Sequence, residues 1–313
     1  MTESKMLREA FGEALAEFGS EFPNLVVLDA DISASLKTGK FAEKFPERHF
    51  NFGVAEQNMV MSAAGLASTG LIPLACTYAT FSTMRACEQI RSMICYPKLN
   101  VKIIATHAGI EVGWDGPTHQ ATEDIAMMRC IPNMTVVVPA DATAVQPLLR
   151  QAIELDGPVY FRMGRNPVPV IYDDQQTFTL GKAINLRKGD EVLLIATGIM
   201  VSTALETADM LAKNGIESGV MDMHTIKPLD AAALLESAKF AGLVVTMEDH
   251  NIIGGLGGAV AECLSENNPK PLIRIGVMDL FTESGDPKGL FKKYHMDAQY
   301  VFKSITQYLK KKG

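Results

Sequence analysis

The sequence predicts an α/β fold with two domains, each a mostly parallel sheet flanked by helices. Short β-branched runs, such as residues 101–105 and 192–196, alternate with stretches of helical periodicity along the 313 residues. The alternation breaks once, at residues 167–179, where periodicity is lost and two of the first three residues are prolines. We therefore predict a first domain at residues 1–166, a linker at 167–179 and a second domain at 180–313.

The first domain begins with an amphipathic pattern. The apolar residues from Leu7 to Phe18 share one face of a predicted helix, which we expect Gly19 to end. Residues 25–28 read as a buried strand that delivers Asp29 and Asp31 to its carboxyl end. Further predicted elements are a helix at 59–67, strands at 101–105, 136–138 and 159–161, and a helix from the N-cap Asp141 to about Leu155.

The second domain repeats the same alternation on a smaller scale. We predict strands at residues 192–196, 219–223, 243–246 and 272–275, with helices at 201–213, 231–238 and 258–265. The glycine run Gly254–Gly258 precedes the last of these helices. It lacks the GxGxxG spacing of a dinucleotide site, so a tight structural turn is the better interpretation.

Composition excludes several classes of function. Hydrophobic residues make up 47% of the chain and charged residues 21%, which is ordinary for a globular protein. The net charge of -7, without a basic stripe, argues against nucleic acid. Neither a membrane-length apolar run nor a signal peptide is found, so we expect a soluble, cytoplasmic protein. The five cysteines form no CxxC pair and are expected to be reduced, buried thiols.

Three segments rich in polar residues lie where parallel strands should end: residues 51–58, 77–91 and 106–120. Glu56 opens a predicted helix, where an acidic residue is commonly just a favourable charge at the positive end of the helix dipole. Tyr78 and Phe81 are spaced to present two aromatic faces together, although a core stripe has the same spacing. His107 and His119 flank a glycine-rich loop, which favours proton transfer, and the absence of an HExxH motif argues against zinc.

Taken together, these segments resemble the transketolase family. The matching runs are 29–31 with Ser35, 51–58, 77–81, 96–102, 106–109, 115–120, 123–126, 131–134, 139–141, 162–165, 248–250 and 253–257. The similarity follows the family's order over almost the whole chain. It covers the pyrimidine-binding domain and the C-terminal domain of that family.

The resemblance also implies a partner. Family members bind thiamine diphosphate through a further domain, whose Gly-Asp-Gly motif holds a metal ion, and this sequence has no such triplet. We therefore expect a separate N-terminal transketolase subunit to supply most ligands of Mg²⁺ or Ca²⁺ and of the diphosphate. Because cofactor sites in the family lie between chains, a dimer of heterodimers acting on sugar phosphates is expected.

The resemblance assigns roles residue by residue. Glu56 should hydrogen-bond the cofactor ring nitrogen N1′, and burial should raise its pKa so that it holds a proton there. Catalysis is expected to involve Glu56, His107 and His119. Tyr78, Phe81 and Asp31 should complete the cofactor site, with Phe81 stacking on the pyrimidine. The expected substrate-binding residues are Arg8, Ser35, His107, Asp115, His119 and Arg165.

Three positions depart from the family pattern: Met84 lies where some relatives carry an aromatic, within a stretch that differs by one residue in length; Ala108 replaces an Asp; and Trp114 replaces a frequent acidic residue. The indole before Asp115 suggests a non-standard sugar, such as a branched or sulfonated one. Three alternatives stay open: the beta subunit of a 2-oxo acid dehydrogenase decarboxylase, a deoxyxylulose phosphate synthase-like enzyme, and a non-catalytic remnant.

Overall fold

The structure is a computed structural model that describes residues 3–312. Its first part consists of β1 (Ser4–Met6), α1 (Leu7–Glu21), β2 (Leu25–Asp29), α2 (Ser33–Leu36), α3 (Gly39–Lys44), β3 (His49–Asn51), α4 (Glu56–Ala67), β4 (Ile72–Tyr78), α5 (Cys87–Gln89), β5 (Lys102–Thr106), α6 (Asp124–Cys130), β6 (Thr135–Val137), α7 (Ala142–Glu154), β7 (Val159–Arg162) and β8 (Pro167–Pro169). Two π-helical segments, Phe81–Arg85 and Ile90–Cys95, flank α5, and Pro46–Arg48 and Ile110–Asp115 form 3₁₀ helices.

The second part contains β9 (Ile184–Asp190), β10 (Val192–Ala196), α8 (Met200–Ala212), β11 (Ser218–Asp222), β12 (Thr225–Lys227), α9 (Ala231–Ser237), β13 (Leu243–Asn251), α10 (Leu256–Asn267), β14 (Leu272–Val277), α11 (Pro287–Lys293) and α12 (Ala298–Lys312). None of the helices within residues 3–312 is long and apolar enough to cross a membrane.

Two main sheets confirm the predicted fold class. The first has seven strands in the order β12-β6-β7-β5-β4-β2-β3, all parallel except β12 at the edge. The second has five strands in the order β14-β13-β10-β11-β9, with β9 antiparallel at its edge. Helices cover these sheets, so the central strands are apolar on both faces.

Alternate residues of β2 serve two separate hydrophobic cores. Val27 belongs to the core that contains Phe11 of α1 and Leu148 of α7. Val26 belongs to the other core, with Met59 of α4. Because side chains of a strand point alternately to opposite faces, this division places α1 and α7 on one face of the first sheet and α4 on the other.

The two halves of the chain are more closely joined than the predicted linker suggests. Within residues 167–179, β8 is an ordered strand that pairs with β1, with Lys5 opposite Val168. The short strand β12, which lies in the predicted second domain, pairs with β6 of the first sheet. Prolines are tolerated in β8 because it belongs to an isolated two-stranded ribbon.

The prediction that Gly19 ends the first helix was wrong. α1 continues to Glu21, and Gly19 packs where a Cβ atom would overlap the ring of Phe45. The glycine is therefore needed for close packing of α1 against α3. Elsewhere the main differences are element ends: α4 begins at Glu56 rather than 59, α10 at Leu256 rather than 258, and β13 extends to Asn251 rather than 246.

The five cysteines are free, as expected, but only two are buried. Cys76 and Cys95 lie in the core, Cys87 and Cys263 are half-buried, and Cys130 is exposed. Apolar neighbours in sequence do not distinguish a buried cysteine from an exposed one, because an amphipathic element carries core positions and surface positions side by side.

A buried carboxyl links the two halves. The Tyr172 hydroxyl donates a hydrogen bond to Asp222 Oδ2 at 2.6 Å, and the Asp141 carboxylate accepts from the backbone N–H of Tyr172 at 3.0 Å. Burial raises the pKa of Asp222 to about 7, and the negative charge of Asp141 adds to this effect.

We expect the variant Asp222→Asn to be more stable than the wild type above pH 7 and equally stable below pH 4. Between these limits the unfolded chain releases the Asp222 proton while the folded protein retains it, so wild-type stability falls as pH rises. The pKa is raised from 3.8 to about 7, so at about 1.4 kcal/mol for each pKa unit the gain at pH 8 is on the order of 4 kcal/mol. Urea denaturation at several pH values measures it, with the exposed Asp209→Asn as control. A gain of equal size at pH 4 and pH 8 would contradict this origin.

Candidate active site

The carboxyl ends of parallel strands meet at one edge of the seven-stranded sheet. Tyr78 is the last residue of β4 and pairs in register with Thr106, the last residue of the neighbouring strand β5. His107 follows directly, and Asp29 ends β2 on the other side of β4. The polar segments that the sequence singled out therefore converge at this edge, where α/β proteins usually place their sites.

Four aromatic rings form the centre of the candidate site. Tyr78 stacks on His107 with ring centroids 4.0 Å apart, and Phe81 meets His119 edge-on at 5.1 Å. Tyr78 lies 5.8 Å from Phe81 and 6.3 Å from His119, which closes the group. We call these four residues the aromatic cluster. The two histidines are thus brought together although twelve positions separate them in the chain.

The backbone at His107 adopts an unusual conformation. Its φ of 55° lies in the left-handed region, which costs energy for a residue other than glycine. The side chain is 98% buried, at a relative exposure of 2%. Burial, together with the positive charges of Arg165 and Arg8, lowers the pKa of His107 to about 3. At neutral pH the ring is therefore an uncharged donor or acceptor.

Two arginines flank this histidine. Arg8 Nη1 donates to the carbonyl oxygen of Ser35 at 2.9 Å, and the Tyr78 hydroxyl donates to Ser35 Oγ at 3.0 Å. On the other side, Arg165 Nη1 lies 3.2 Å from Asp115 Oδ1. These contacts bring Arg8, Ser35, Asp115 and Arg165 to the edge that holds the aromatic cluster. Guanidinium groups suit anionic ligands because they donate two parallel hydrogen bonds.

Trp114, next to Asp115, points outward. Its side chain is 68% exposed, and its carbonyl oxygen accepts a hydrogen bond from Ser284 of the second half of the chain. A large indole is therefore available at the outer rim of the site rather than in the core.

Glu56 is the first residue of α4, the position that the helix-dipole interpretation describes, and its side chain is buried. It has a further partner: Arg85 Nη1 lies 2.9 Å from Glu56 Oε1. The same guanidinium lies over the Phe81 ring, 4.0 Å from its centroid. Residues 54–58 and Arg85 line an open cleft of about 460 Å³. One planar cation thus contacts a carboxylate through its N–H edge and an aromatic ring through its face.

Met84 lies within the π-helical segment Phe81–Arg85, in the stretch where a one-residue length difference from relatives is expected. A π turn accommodates one extra residue within a helix, and such turns are common at functional sites. Met84 is 45% exposed, so no aromatic ring fills its position in the site.

The sequence interpretation missed two residues of this region, Arg85 and Glu111, and a third residue, the predicted Asp31, makes a contact that it did not foresee. Arg85 was detectable, because a residue four positions after Phe81 on a helix can contact its ring. Glu111 had no signal: it is buried, accepts N–H donors from Arg165 and Asn166, and has a pKa that burial raises to about 7. Asp31 makes its side-chain contact with Asn51, whose Nδ2 donates to Asp31 Oδ1 at 3.1 Å.

The glycine run at 254–258 acts as a structural turn. Both oxygens of the buried Glu248 carboxylate accept backbone N–H donors from Leu256 and Gly257, at 2.7 and 2.8 Å. The donors at the start of α10 are therefore satisfied within the chain, and Glu248 occupies the place where a phosphate would bind.

Among residues 3–312, no group of three or more His, Cys, Asp or Glu side chains is arranged to hold a metal ion. The groups that do converge are a buried carboxylate, two aromatic rings, two histidines and three arginines. This set suits a planar heteroaromatic ring next to an anionic, hydroxylated ligand.

Between pH 5 and 8 we expect the His107 ring to remain neutral, because burial and the neighbouring arginines hold its pKa at about 3. Its ¹⁵N and ring-proton NMR signals, assigned with His107→Gln, should not shift over this range. Replacing one cation, in Arg165→Met, should raise the pKa of His107. A midpoint between pH 5 and 8 in the wild type would disprove the assignment.

The comparisons with known proteins agree with this geometry. Residues 3–170 match the transketolase pyrimidine binding domain, and residues 181–301 match the transketolase C-terminal domain. The chain is 49% identical, over 98% of its length and 97% of the relative's, to a putative transketolase C-terminal section of Methanocaldococcus jannaschii.

Two further proteins extend the comparison. The chain is 41% identical to a 6-deoxy-6-sulfo-D-fructose transketolase subunit of Clostridium sp. (strain MSTE9), over 99% of this chain and 97% of that protein. A solved structure described as a split gene transketolase, inactive beta4 tetramer, superimposes with a TM-score of 0.90 at 50% identity and covers 96% of this chain and 97% of its own. The chain therefore belongs to the transketolase family and corresponds to the C-terminal section of a split transketolase.

Proposed function

We propose that this chain is the C-terminal subunit of a thiamine diphosphate-dependent transketolase, which transfers a two-carbon ketol unit from a ketose phosphate to an aldose. The observation that carries the proposal is that the buried Glu56 carboxylate and the Phe81 ring both contact the same planar group, the Arg85 guanidinium. An aminopyrimidine is also planar, has a nitrogen that can share a proton with a carboxyl group, and stacks on aromatic faces.

The chain's own residues fit the pyrimidine half of the cofactor. Glu56 would hold a proton at ring nitrogen N1′, Phe81 would support the ring face, and Tyr78 would line the pocket behind it. Asp31 belongs to the proposed cofactor site through the β2 end, where its orientation is set by Asn51. When bound, thiamine diphosphate would supply the carbanion chemistry that carries the transferred unit. The protein would align the substrate and polarise its reacting groups.

The other site residues are proposed to handle the sugar. His107 and His119 would act in catalysis by contacting substrate oxygens, and the neutral ring of His107 can donate a hydrogen bond from one nitrogen and accept one at the other at physiological pH. Asp115 would accept from a hydroxyl group next to the carbonyl. Arg8, Ser35 and Arg165 would bind the anionic end of the sugar.

A partner subunit completes the proposed enzyme. The chain carries no Gly-Asp-Gly motif, and the solved split-gene relative is described as an inactive beta4 tetramer. Val54, two residues before Glu56, and Met61 of α4 are 73% and 40% exposed, which suits burial by another protein. We propose an N-terminal transketolase subunit there, holding Mg²⁺ or Ca²⁺ and the diphosphate, in a dimer of heterodimers.

In the complex reconstituted with such a partner, Glu56→Gln should lower ketol transfer by about 10²–10⁴-fold, because proton transfer by a positioned carboxyl group contributes about that much. The formation of the product ketose phosphate measures it, and Glu88→Gln, an exposed carboxylate next to α4, is the matched control. Undiminished turnover in Glu56→Gln would refute the proposal. Pyruvate consumption with carbon dioxide release would favour instead a decarboxylase of the 2-oxo acid dehydrogenase or deoxyxylulose phosphate synthase type.

We propose that the exposed Trp114 selects a sulfonated or branched sugar. The relative named for 6-deoxy-6-sulfo-D-fructose supports such substrates in similar chains. Trp114→Ala should change the ratio of kcat/KM between 6-deoxy-6-sulfofructose and xylulose 5-phosphate by roughly tenfold, the size typical for one apolar contact. Phe240→Ala, an equally exposed aromatic, is the control. Ordinary efficiency of the wild type on xylulose 5-phosphate plus ribose 5-phosphate would contradict the idea.

A further inference from the structure

Arg85 is positioned unlike the other arginines of the site. Arg8 and Arg165 flank His107, whereas Arg85 bridges the two groups proposed to hold the cofactor ring. Its Nη1 atom is 2.9 Å from Glu56 Oε1, and its guanidinium carbon is 4.0 Å from the Phe81 centroid. The side chain remains 49% exposed, while the Glu56 side chain is only 6% exposed. A largely solvated cation thus closes the outer side of a buried carboxylate.

The guanidinium reproduces the contacts that an aminopyrimidine would make. It is planar, it directs an N–H donor at the carboxylate, and its face lies on an aromatic ring. Since a carboxylate oxygen and one ring face are engaged by Arg85, the same atoms are not free for a second planar group. The cleft of about 460 Å³ beside residues 54–58 lies open to the outside, so the arginine lies between solvent and Glu56.

We propose that Arg85 occupies the pyrimidine position in the unpartnered chain and must swing outward before the cofactor ring can bind. The inference rests on the proposed function of Glu56 and Phe81. It makes Arg85 a positioning residue: the arginine protects a buried carboxylate from being left unpaired and excludes planar ligands until the site is completed.

The surroundings of Arg85 allow such a movement. It ends the π-helical segment Phe81–Arg85, and the next residue, Ala86, is not helical. Its backbone carbonyl is held by Gln57 Nε2 at 2.9 Å, so the backbone stays attached to α4 while the half-exposed side chain is free to rotate. The 49% exposed guanidinium stays in contact with water when it moves, so the main cost of opening is the loss of a partner for Glu56, which a bound ring nitrogen would replace.

The energetic consequence is a reduced apparent affinity. When the binding-competent state is only a fraction of the population, the apparent dissociation constant rises by the inverse of that fraction. An open fraction of about one third to one tenth would therefore weaken ring binding by about three- to tenfold. Removal of the guanidinium should lower the apparent dissociation constant by the same three- to tenfold factor, because Phe81 and Glu56 are then always available to the ring.

The test uses the full chain without its partner and the neutral probe 4-amino-5-hydroxymethyl-2-methylpyrimidine, which is the pyrimidine half of the cofactor without charge or diphosphate. Dissociation constants are measured by ligand-observed saturation-transfer NMR. Arg85→Ala should bind the probe about three- to tenfold more tightly than the wild type. Arg91→Ala, an exposed residue six positions later in the same helical region, loses the same charge and should bind like the wild type.

The remaining outcomes separate this inference from the proposed function. Equal or weaker binding by Arg85→Ala, with an unchanged thermal unfolding midpoint, would overturn the role of Arg85 and leave the function of Glu56 intact. The same holds if no variant binds the probe, because the guanidinium would then not be what excludes the ring. Binding that is unaffected by Glu56→Gln in the Arg85→Ala background would overturn the proposed pyrimidine site itself.

Discussion

The buried ion pair between Arg162 and Asp124 holds together the parts of the molecule that form the candidate site. Arg162 ends β7 in the middle of the first sheet, and its Nε donates to Asp124 Oδ2 at 2.7 Å. Its Nη2 reaches the carbonyl oxygen of Asp249 in β13 at 2.8 Å. Burial alone would raise the pKa of Asp124, but the Arg162 charge holds it below its usual value. Loss of either partner would leave a buried charge, which typically costs about 3–5 kcal/mol.

The same connection fixes the loop that carries both histidines. The Asp249 carboxylate accepts the backbone N–H of Ile110 at 2.9 Å, and Gly109 lies so close that a Cβ atom would overlap this carboxylate. Gly109 also has a φ of 74°, which suits glycine. The position of His107 at the edge of the first sheet is therefore set in part by a residue of the second sheet. The two halves of the chain act as one scaffold for the site.

The electrostatics of the site follow from this rigid arrangement. Burial lowers the pKa of His107, and Arg8 and Arg165, held nearby by contacts with Ser35 and Asp115, add to this effect and favour an anionic ligand. Glu56 experiences the opposite situation: it lies at the positive end of α4 and beside one cation. The proposed function needs both halves, one for an anionic sugar and one for a proton-sharing ring.

The sequence by itself determined the α/β class, the strand and helix order, and the segments that carry polar residues. Periodicity reports which face of an element is buried, and motif order reports the family. Only the tertiary structure decided which of those residues meet. The stacking of Tyr78 on His107 depends on the register of β4 and β5. The contact of Arg85 with Glu56 joins the π-helical segment to α4, and Asp249 reaches Gly109 across 140 positions of chain. Such contacts depend on how distant elements pack, and no local pattern encodes that packing.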